Sequence, residues 1–312
     1  MNHNNNNNNN SYNNSDLQQV NDARKTTIIN RELAKRNIDI AALQEKRVSA
    51  NGSLKEKTST LSGRGLGPDE HCVDGVGNAV RNSILVSVQP PFHGNVRIIS
   101  LLLYTSSGPT HILSAYSPTL SSSAEVKDIF YEELKKKIIR GITEKDDLIL
   151  LGDFNARVGA DFSSWSNRDG HFGVSKLNDD GLRLFELCSF NNLCITITVF
   201  ATKPHQRVYW RHPRFNYLHQ LGLFITRKFM LNHVSLTRSY HNADCNTDHS
   251  LVGSKVCLRP RQFNIRDSQV QRIRLSIEKP ATIPRVCPVS VQRLRLSGDI
   301  QSASDIGNTK AV

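Results

Sequence analysis

The sequence predicts an α+β protein in which two β-sheets pack face to face. Many short segments show the β-branched residues and two-residue alternation of strands, whereas only a few show the apolar spacing of helices. The segments follow one another in an interrupted order, which favours a two-sheet sandwich over a regular succession of βαβ units. The chain of 312 residues is long enough to bury a substantial core.

Three segments have helical periodicity, namely residues 22–37, which Asp22 can cap, 123–141 and 178–191. Apolar residues recur at helical spacing in the second of them, at Val126, Ile129, Phe130, Leu134 and Ile138. Residues 49–72 are rich in Ser, Gly and Lys and are typical of a loop. The predicted strands are 38–45, 75–83, 84–88, 97–104, 111–116, 148–153, 194–200, 207–211, 221–226 and 250–258.

The two ends of the chain differ from its middle in composition. Residues 1–21 form an Asn-rich leader that we expect to be disordered, because a polar tract cannot bury apolar surface. Residues 22–262 carry the predicted helices and strands and form the folded domain. Residues 263–312 lose the apolar periodicity and are rich in Lys and Arg, so we expect a basic, disordered tail.

The net charge indicates a polyanionic partner. Lys and Arg exceed Asp and Glu by 12 charges, which favours binding to nucleic acid or to an anionic surface. No apolar run is long enough to span a bilayer, and the polar N-terminus has no secretory signal. We therefore expect an intracellular protein, nuclear or cytoplasmic, with no membrane association and no obligate protein partner. The six cysteines are expected to be free thiols.

Three predicted strand ends carry polar side chains, and these are Gln44-Glu45, Asp153-Phe154-Asn155 and Asp248-His249. Each of them alone has an ordinary explanation, either a solvated strand end or a turn. Their combination is more specific, because a strand that stops at a carboxylate delivers it to a sheet edge. Carboxylate oxygens suit Mg²⁺, and a His beside an Asp can act as a general acid or base or stabilise a phosphoryl oxygen.

Four motifs resemble those of the endonuclease/exonuclease/phosphatase superfamily, which includes deoxyribonuclease I and the apurinic/apyrimidinic endonucleases. The motifs are residues 40–45, 115–118, 151–159 and 247–252. The stretches between them are more similar still to the endonuclease domain of RTE-type non-LTR retrotransposons and to craniofacial development protein 2-like proteins. The resemblance covers about residues 22–262.

The resemblance implies a four-layer α/β/β/α sandwich of the deoxyribonuclease I type that hydrolyses DNA with Mg²⁺, or alternatively Mn²⁺. It implies that Glu45 binds the metal and that Asp248 supports the metal site. Asp153 would orient or deprotonate the attacking water, and Asn155 would help to hold that water and a phosphate oxygen. Tyr116 would contact the scissile phosphate, and His249 would stabilise the charge that develops on the phosphorane.

Two departures from the family pattern stand out. The family's first strand, which lies inside a sheet and carries an Asn of the metal-side network, is missing. Its absence should leave unpaired backbone groups or an exposed edge. The family also has an Asp that orients the catalytic His, where this chain has Gly222. Loss of the corresponding Asp in the serine-protease triad, a standard example, costs about 10⁴ in rate.

Three functional hypotheses follow from these residues. The first is a Mg²⁺-dependent DNA endonuclease of retrotransposon ancestry with impaired activity. The second is a catalytically dead pseudoenzyme that retains nucleic-acid or protein binding, and the third is a phosphatase of the same superfamily. Arg157, Trp210 and Arg211 are candidate DNA contacts through phosphate pairing and stacking. The pattern of Trp210 and Arg211 is explained equally well by a Trp at the edge of the core with solvated basic neighbours.

Overall fold

The computed structural model describes residues 26–44, 52–64, 75–89, 94–159, 170, 172–174, 176–207, 210–211, 218–219, 221–241, 250–262 and 291–296. Within these ranges, the side chains of residues 64, 139–140, 210–211, 218–219 and 291–296 are not described. The predicted disorder of the leader and of most of the tail lies outside the described residues.

Two sheets form the centre of the molecule. In spatial order, the seven-stranded sheet consists of β13 (Val234–Tyr240), β14 (Leu251–Val256), β15 (Val291–Leu296), β1 (Ile40–Leu43), β4 (Val76–Arg81), β3 (Ser59–Arg64) and β2 (Gly52–Lys55). The six-stranded sheet consists of β5 (Val88–Gln89), β6 (Ile98–Thr105), β7 (Gly108–Tyr116), β8 (Asp147–Asp153), β12 (Gly222–Arg227) and β9 (Leu193–Ile195). A separate pair is formed by β10 (Trp210–Arg211) and β11 (Leu218–His219).

Among the residues that the structure describes, three α-helices cover the outer faces of the two sheets. They are α1 (residues 26–35), α2 (Ala124–Gly141) and α3 (Asp179–Phe190). Short 3-10 helices span Asn82–Ser87, Thr196–Thr198, Pro204–Arg207 and Lys228–His233. No helix in the described part of the chain is long and apolar enough to cross a membrane.

Apolar side chains fill the spaces between the layers. Ile29 and Leu33 of α1 pack on the outer face of the seven-stranded sheet. Phe130 and Leu134 of α2, with Leu184 of α3, pack on the outer face of the six-stranded sheet. The layer between the sheets is built from residues of both, including Ile40, Val80, Ile112, Ile149, Leu151 and Phe224. This arrangement confirms the predicted α/β/β/α sandwich.

The central strands of the six-stranded sheet are buried on both faces. Leu148, Ile149, Leu150 and Leu151 of β8 are fully buried, because α2 and α3 cover one face and the other sheet covers the second. A continuous apolar run is the pattern that such a strand requires. Strand β8 pairs with β7 in parallel and with β12 in antiparallel orientation.

The apolar stripe of α2 differs from the predicted one. Phe130, Leu134 and Ile138 are buried as expected, but Val126 and Ile129 are 45% and 61% exposed. The buried face of α2 also includes Lys127 and Tyr131, so the helix is rotated away from Val126 and Ile129. The sequence could not show how far the helix rolls on the sheet.

Three local predictions are wrong. The segment predicted as loop 49–72 contains the hairpin of β2 and β3, which is added to β4. The predicted strand 84–88 is mostly a 3-10 helix. The predicted strand 194–200 ends at Ile195 and is followed by the 3-10 helix Thr196–Thr198. In the second case β4 ends at Arg81, and the 3-10 helix begins at Asn82, whose Nδ2 donates to the carbonyl oxygen of Glu56, 3.0 Å away.

Strand β15 lies in the middle of the seven-stranded sheet. It is antiparallel to β1 and parallel to β14, and Arg293 is opposite both Ala41 and Gly253. The prediction of a disordered tail is therefore wrong for residues 291–296, and the edge of β1 is not exposed. The two-residue alternation of this segment is too short to stand out, and its pairing with β1 is non-local, so that composition alone was misleading.

We expect that cysteines at positions 255 and 295 form an intramolecular disulfide in a Cys257→Ser background. Lys255 and Arg295 are directly opposite in the parallel pair of β14 and β15, and facing Cα atoms are close enough for an S–S bond. Peptide mapping by mass spectrometry detects the link. The control is Lys255→Cys with Leu294→Cys, which points the second thiol to the opposite face. Equal cross-linking of both pairs, or a link between two molecules, contradicts the observed register.

Candidate active site

The C-terminal ends of the parallel strands β7 and β8 bring two predicted site residues together. Tyr116 and Asp153 are directly opposite each other in the β7–β8 pair, and both are buried, with 4% and 1% exposure. Gly222, the first residue of β12, is opposite Asp153 on the other side. Three neighbouring strands thus present positions 116, 153 and 222 at one level of the sheet.

The close approach of β7 and β8 depends on Gly152. A Cβ at this position would overlap the carbonyl oxygen of Ala115 and would lie 3.1 Å from the Phe154 ring. Both contacts are with groups that the surrounding structure holds in place. A glycine immediately before Asp153 therefore allows the carboxylate to be set level with Tyr116.

Tyr116, Asp153 and position 222 face the seven-stranded sheet. Strand residues two apart share a face, and Leu151 and Phe224 belong to the layer between the sheets. Tyr116 packs against Val76 of β4 in the opposite sheet. The candidate site is therefore at the rim of the inter-sheet layer, where the two sheets meet.

The same rim includes the ends of β1 and β14 in the seven-stranded sheet. Leu43, the last residue of β1, is opposite Val291, and Val252 of β14 is opposite Gln292. The end of β1 and the beginning of β14 are thus level, with β15 between them. The predicted residues Glu45, Asp248 and His249 lie outside the described residues, so their positions stay predictions.

Hydrogen bonds fix the turn that follows Asp153. The backbone N–H of Asn155 donates to Oδ1 of Asp153 at 3.0 Å, and Nδ2 of Asn155 donates to the carbonyl oxygen of Ser117 at 3.1 Å. Ser117 is tied to the same turn, because its backbone N–H donates to the carbonyl oxygen of Asp153 at 2.9 Å. The structure therefore brings together Tyr116, Asp153 and Asn155 of the predicted set.

The three candidate DNA contacts are not brought into one described cluster. Arg157 lies on the loop after Asn155 and is partly buried, and its Nε has no hydrogen-bond partner among the residues that are described. Trp210 and Arg211 form β10, where Trp210 is opposite His219, but their side chains are outside the description. Their role in DNA binding stays a prediction.

Two further residues at the rim were not indicated by the sequence. The guanidinium of Arg97 lies 5.8 Å from the centroid of the Tyr116 ring and donates to the carbonyl oxygen of Tyr116 at 3.4 Å. Asn78 of β4 is fully buried and accepts a hydrogen bond from the hydroxyl of Ser114 across the inter-sheet layer. Both residues lie in segments predicted as strands, and the sequence does not indicate which residues of other strands they contact.

The potential metal ligands in the described part of the rim are oxygen atoms, chiefly those of the Asp153 carboxylate and the Asn155 amide. Within the described ranges there is no group of three or more His, Cys, Asp or Glu side chains that could hold a metal ion by itself. An oxygen-rich set with one carboxylate fits Mg²⁺, which takes one or two carboxylates and keeps several waters. A complete set would need the predicted ligands Glu45 and Asp248.

Comparison with known sequences gives a consistent picture. The sequence profile of the Endonuclease/Exonuclease/phosphatase family matches residues 8–267. Craniofacial development protein 2 from Bos taurus is 28% identical over 270 residues, which is 83% of this chain and 42% of the relative. The same protein from Tragulus javanicus is 28% identical over 247 residues, or 75% of this chain and 40% of the relative. The chain thus spans less than half the length of these curated relatives.

Comparison with solved structures supports the same fold. The endonuclease domain of TRAS1, a telomere-specific non-LTR retrotransposon, superposes with a TM-score of 0.51 at 19% identity, covering 72% of this chain and 89% of that domain. An AP endonuclease from Archaeoglobus fulgidus superposes with a TM-score of 0.52 at 13% identity, covering 70% of this chain and 88% of that chain.

We expect Gly152→Ala to lower the free energy of unfolding by about 1–3 kcal/mol, because the added methyl group has no space between β7 and β8. Urea unfolding monitored by circular dichroism measures the change. Gly141→Ala, at the end of α2, is the matched control, because nothing lies within 4 Å of a Cβ there. An equal effect of the two substitutions would show that β7 and β8 tolerate a wider separation.

Proposed function

Because the chain belongs to the endonuclease/exonuclease/phosphatase family, we propose that it is a Mg²⁺-dependent phosphodiesterase that cuts DNA, of retrotransposon ancestry and with impaired activity. The observation that carries this proposal is the placing of a buried carboxylate, Asp153, level with Tyr116 at the rim of the sandwich. A family member that acts on phosphodiesters needs an activated water, charge neutralisation and in-line positioning.

Asp153 is the residue that activates water in this proposal. Its Oδ1 accepts the Asn155 N–H, and this contact orients the carboxylate that activates the attacking water. The Asn155 side chain helps to hold that water and a phosphate oxygen. The Tyr116 hydroxyl donates to the scissile phosphate, and the cation of Arg97 near the Tyr116 ring favours an anionic phosphate at this edge.

Glu45 and Asp248 are the residues that would hold Mg²⁺. When bound, the ion neutralises phosphate charge and polarises the phosphoryl oxygen. Both residues continue from strand ends that are level at the same rim, since Glu45 follows β1 and Asp248 precedes β14. His249 would stabilise the charge that develops on the phosphorane.

Impairment is proposed because of Gly222. This position is opposite Asp153 and on the same face of the sheet, so a side chain there would reach the rim. Glycine has no side chain to orient His249. An imidazole with no orienting partner adopts the wrong tautomer or direction for part of the time, which lowers the rate of proton transfer and charge stabilisation.

DNA is the proposed partner, and two observations support it. The formal charge of +12 favours a polyanion. The structurally similar TRAS1 domain is an endonuclease domain of a non-LTR retrotransposon, and a 3′ phosphatase from Neisseria with the same fold has been solved with a DNA hairpin.

A pseudoenzyme is the second candidate function, and Gly222 is the observation that favours it. Such a protein would keep the sandwich and the basic charge and would bind nucleic acid or protein without cleavage. A phosphatase of the same superfamily is a third reading, which the similarity of the connecting stretches to endonuclease domains makes weaker.

We expect the protein to nick supercoiled plasmid slowly in the presence of Mg²⁺ and to lose this activity in Asp153→Asn, because the amide cannot activate water. Agarose-gel conversion to the open-circle form measures the rate. The matched control is Asp147→Asn, which changes a carboxylate at the opposite end of β8. Loss of nicking in the control, or its retention in Asp153→Asn, would place the chemistry elsewhere.

We expect Gly222→Asp to raise the nicking rate by orders of magnitude, since removal of a comparable His-orienting Asp costs about 10⁴ in the serine-protease example. Gly222→Asn controls for side-chain size without the charge. If Gly222→Asp folds but cuts no faster, His249 is not limited by orientation. If neither the wild type nor Gly222→Asp nicks DNA, while both bind it, the pseudoenzyme is supported.

A further inference from the structure

The backbone of Asn155 is held in an uncommon conformation. Its φ is +48°, in the left-handed region that residues other than Asn, Asp and Gly rarely adopt. This conformation points the Asn155 N–H to Oδ1 of Asp153 and the Asn155 side chain to Ser117. Such a conformation persists only when the surroundings hold it.

Asn178, the residue before α3, contacts the Asn155 loop through its whole amide group. Its Oδ1 accepts hydrogen bonds from the backbone N–H groups of Gly181 at 2.9 Å and Arg157 at 2.8 Å. Its Nδ2 donates to the carbonyl oxygen of Asn155 at 3.3 Å. The Asn178 side chain thus caps α3 and forms hydrogen bonds with the loop on both sides of residue 156.

The N-terminal turn of α3 is a firm base for this contact. Lys127 of α2 forms a buried ion pair with Asp180 at 3.0 Å, and the Tyr131 hydroxyl donates to the carbonyl oxygen of Asp180 at 3.2 Å. Burial raises the pKa of Tyr131 well above its usual value, so this hydroxyl keeps its proton. A Cβ at Gly181 would overlap the carbonyl oxygen of Arg157, so loop and helix are in direct contact.

We infer that Asn178 is a positioning residue that sets the orientation of Asn155 and, through the Asn155 N–H, of the Asp153 carboxylate. This inference rests on the proposed function, since it assigns Asn178 a role in phosphodiester cleavage. Asn178 does not touch the reacting atoms. It acts by holding the carbonyl of Asn155, which fixes the peptide plane that follows the left-handed residue.

Only an amide supplies both functions of this side chain. Aspartate is an equally good N-cap and would keep the two accepted hydrogen bonds. It has no N–H donor, however, and would place a carboxylate oxygen against the carbonyl oxygen of Asn155. Asn178→Asp therefore separates the capping of α3, which it preserves, from the grip on Asn155, which it removes.

The test compares Asn178→Asp with Asn191→Asp in the full chain. Asn191 ends the same helix and also donates from Nδ2 to a backbone carbonyl, that of Leu187, at 2.8 Å. A carboxylate is favourable at a helix N-terminus and unfavourable at its C-terminus. Asn191→Asp is thus expected to lose more stability, and Asn178→Asp more activity. This reversal of order cannot arise from unfolding.

Three measurements are made on each protein: kcat and KM on a labelled DNA duplex, the melting temperature, and hydrogen exchange of the Asn155 amide. We expect Asn178→Asp to lower kcat by about tenfold or more, because small misplacements of reacting groups have effects of this size. Its KM and melting temperature stay close to those of the wild type, and its Asn155 amide exchanges faster. Asn191→Asp keeps the wild-type kcat and Asn155 exchange.

The inference is overturned if Asn178→Asp changes neither kcat nor exchange at Asn155. It is also overturned if both variants lose activity in proportion to their melting temperatures, since Asn178 would then be a helix cap alone. If the wild type does not cut DNA but Asn178→Asp accelerates exchange at Asn155 and Asn191→Asp does not, the proposed function fails. The positioning contact is supported in that case.

Discussion

The parallel pairing of β7 with β8 is the constraint on which the rim of the molecule depends. It sets Tyr116 and Asp153 level, and it brings Ser117 within hydrogen-bonding distance of the turn after Asp153. The pairing is possible because Gly152 has no Cβ and because both strands are buried on two faces. The hydrogen bonds that fix the turn after Asp153 join residues at or directly after these two strand ends.

A second sheet faces this pair and completes the rim. Strand β1 ends and β14 begins at one level, and β15 separates them. A strand from the C-terminal part of the chain thus satisfies the backbone hydrogen bonds that β1 would otherwise present to solvent. The family relationship and this arrangement are compatible with a nuclease centre, whereas Gly222 removes a side chain from the same rim. Ancestral fold and present activity are therefore separate questions for this protein.

Much of the sandwich was predictable because its signals are local. The apolar run of β8, the strand of β7 and the buried positions Phe130, Leu134 and Ile138 of α2 follow from residue spacing alone. The meeting of Tyr116, Asp153 and Asn155 was implied by family resemblance and is present. The contact of Asn178 with both sides of the Asn155 loop could not be predicted, since an Asn before Asp-Asp-Gly signals a helix cap and does not indicate which loop the cap contacts.

Local chemistry in the sequence sufficed to specify two sheets, three helices and strands that end in carboxylates, since alternation, apolar spacing and capping residues act between near neighbours. It did not suffice for the partners of those elements. The pairing of Arg293 with Ala41, the hydrogen bond from Ser114 to Asn78 and the face shared by Gly222 and Asp153 join residues far apart in the chain. Such contacts depend on sheet order and register, which are settled only when the competing pairings of the whole chain are compared in free energy.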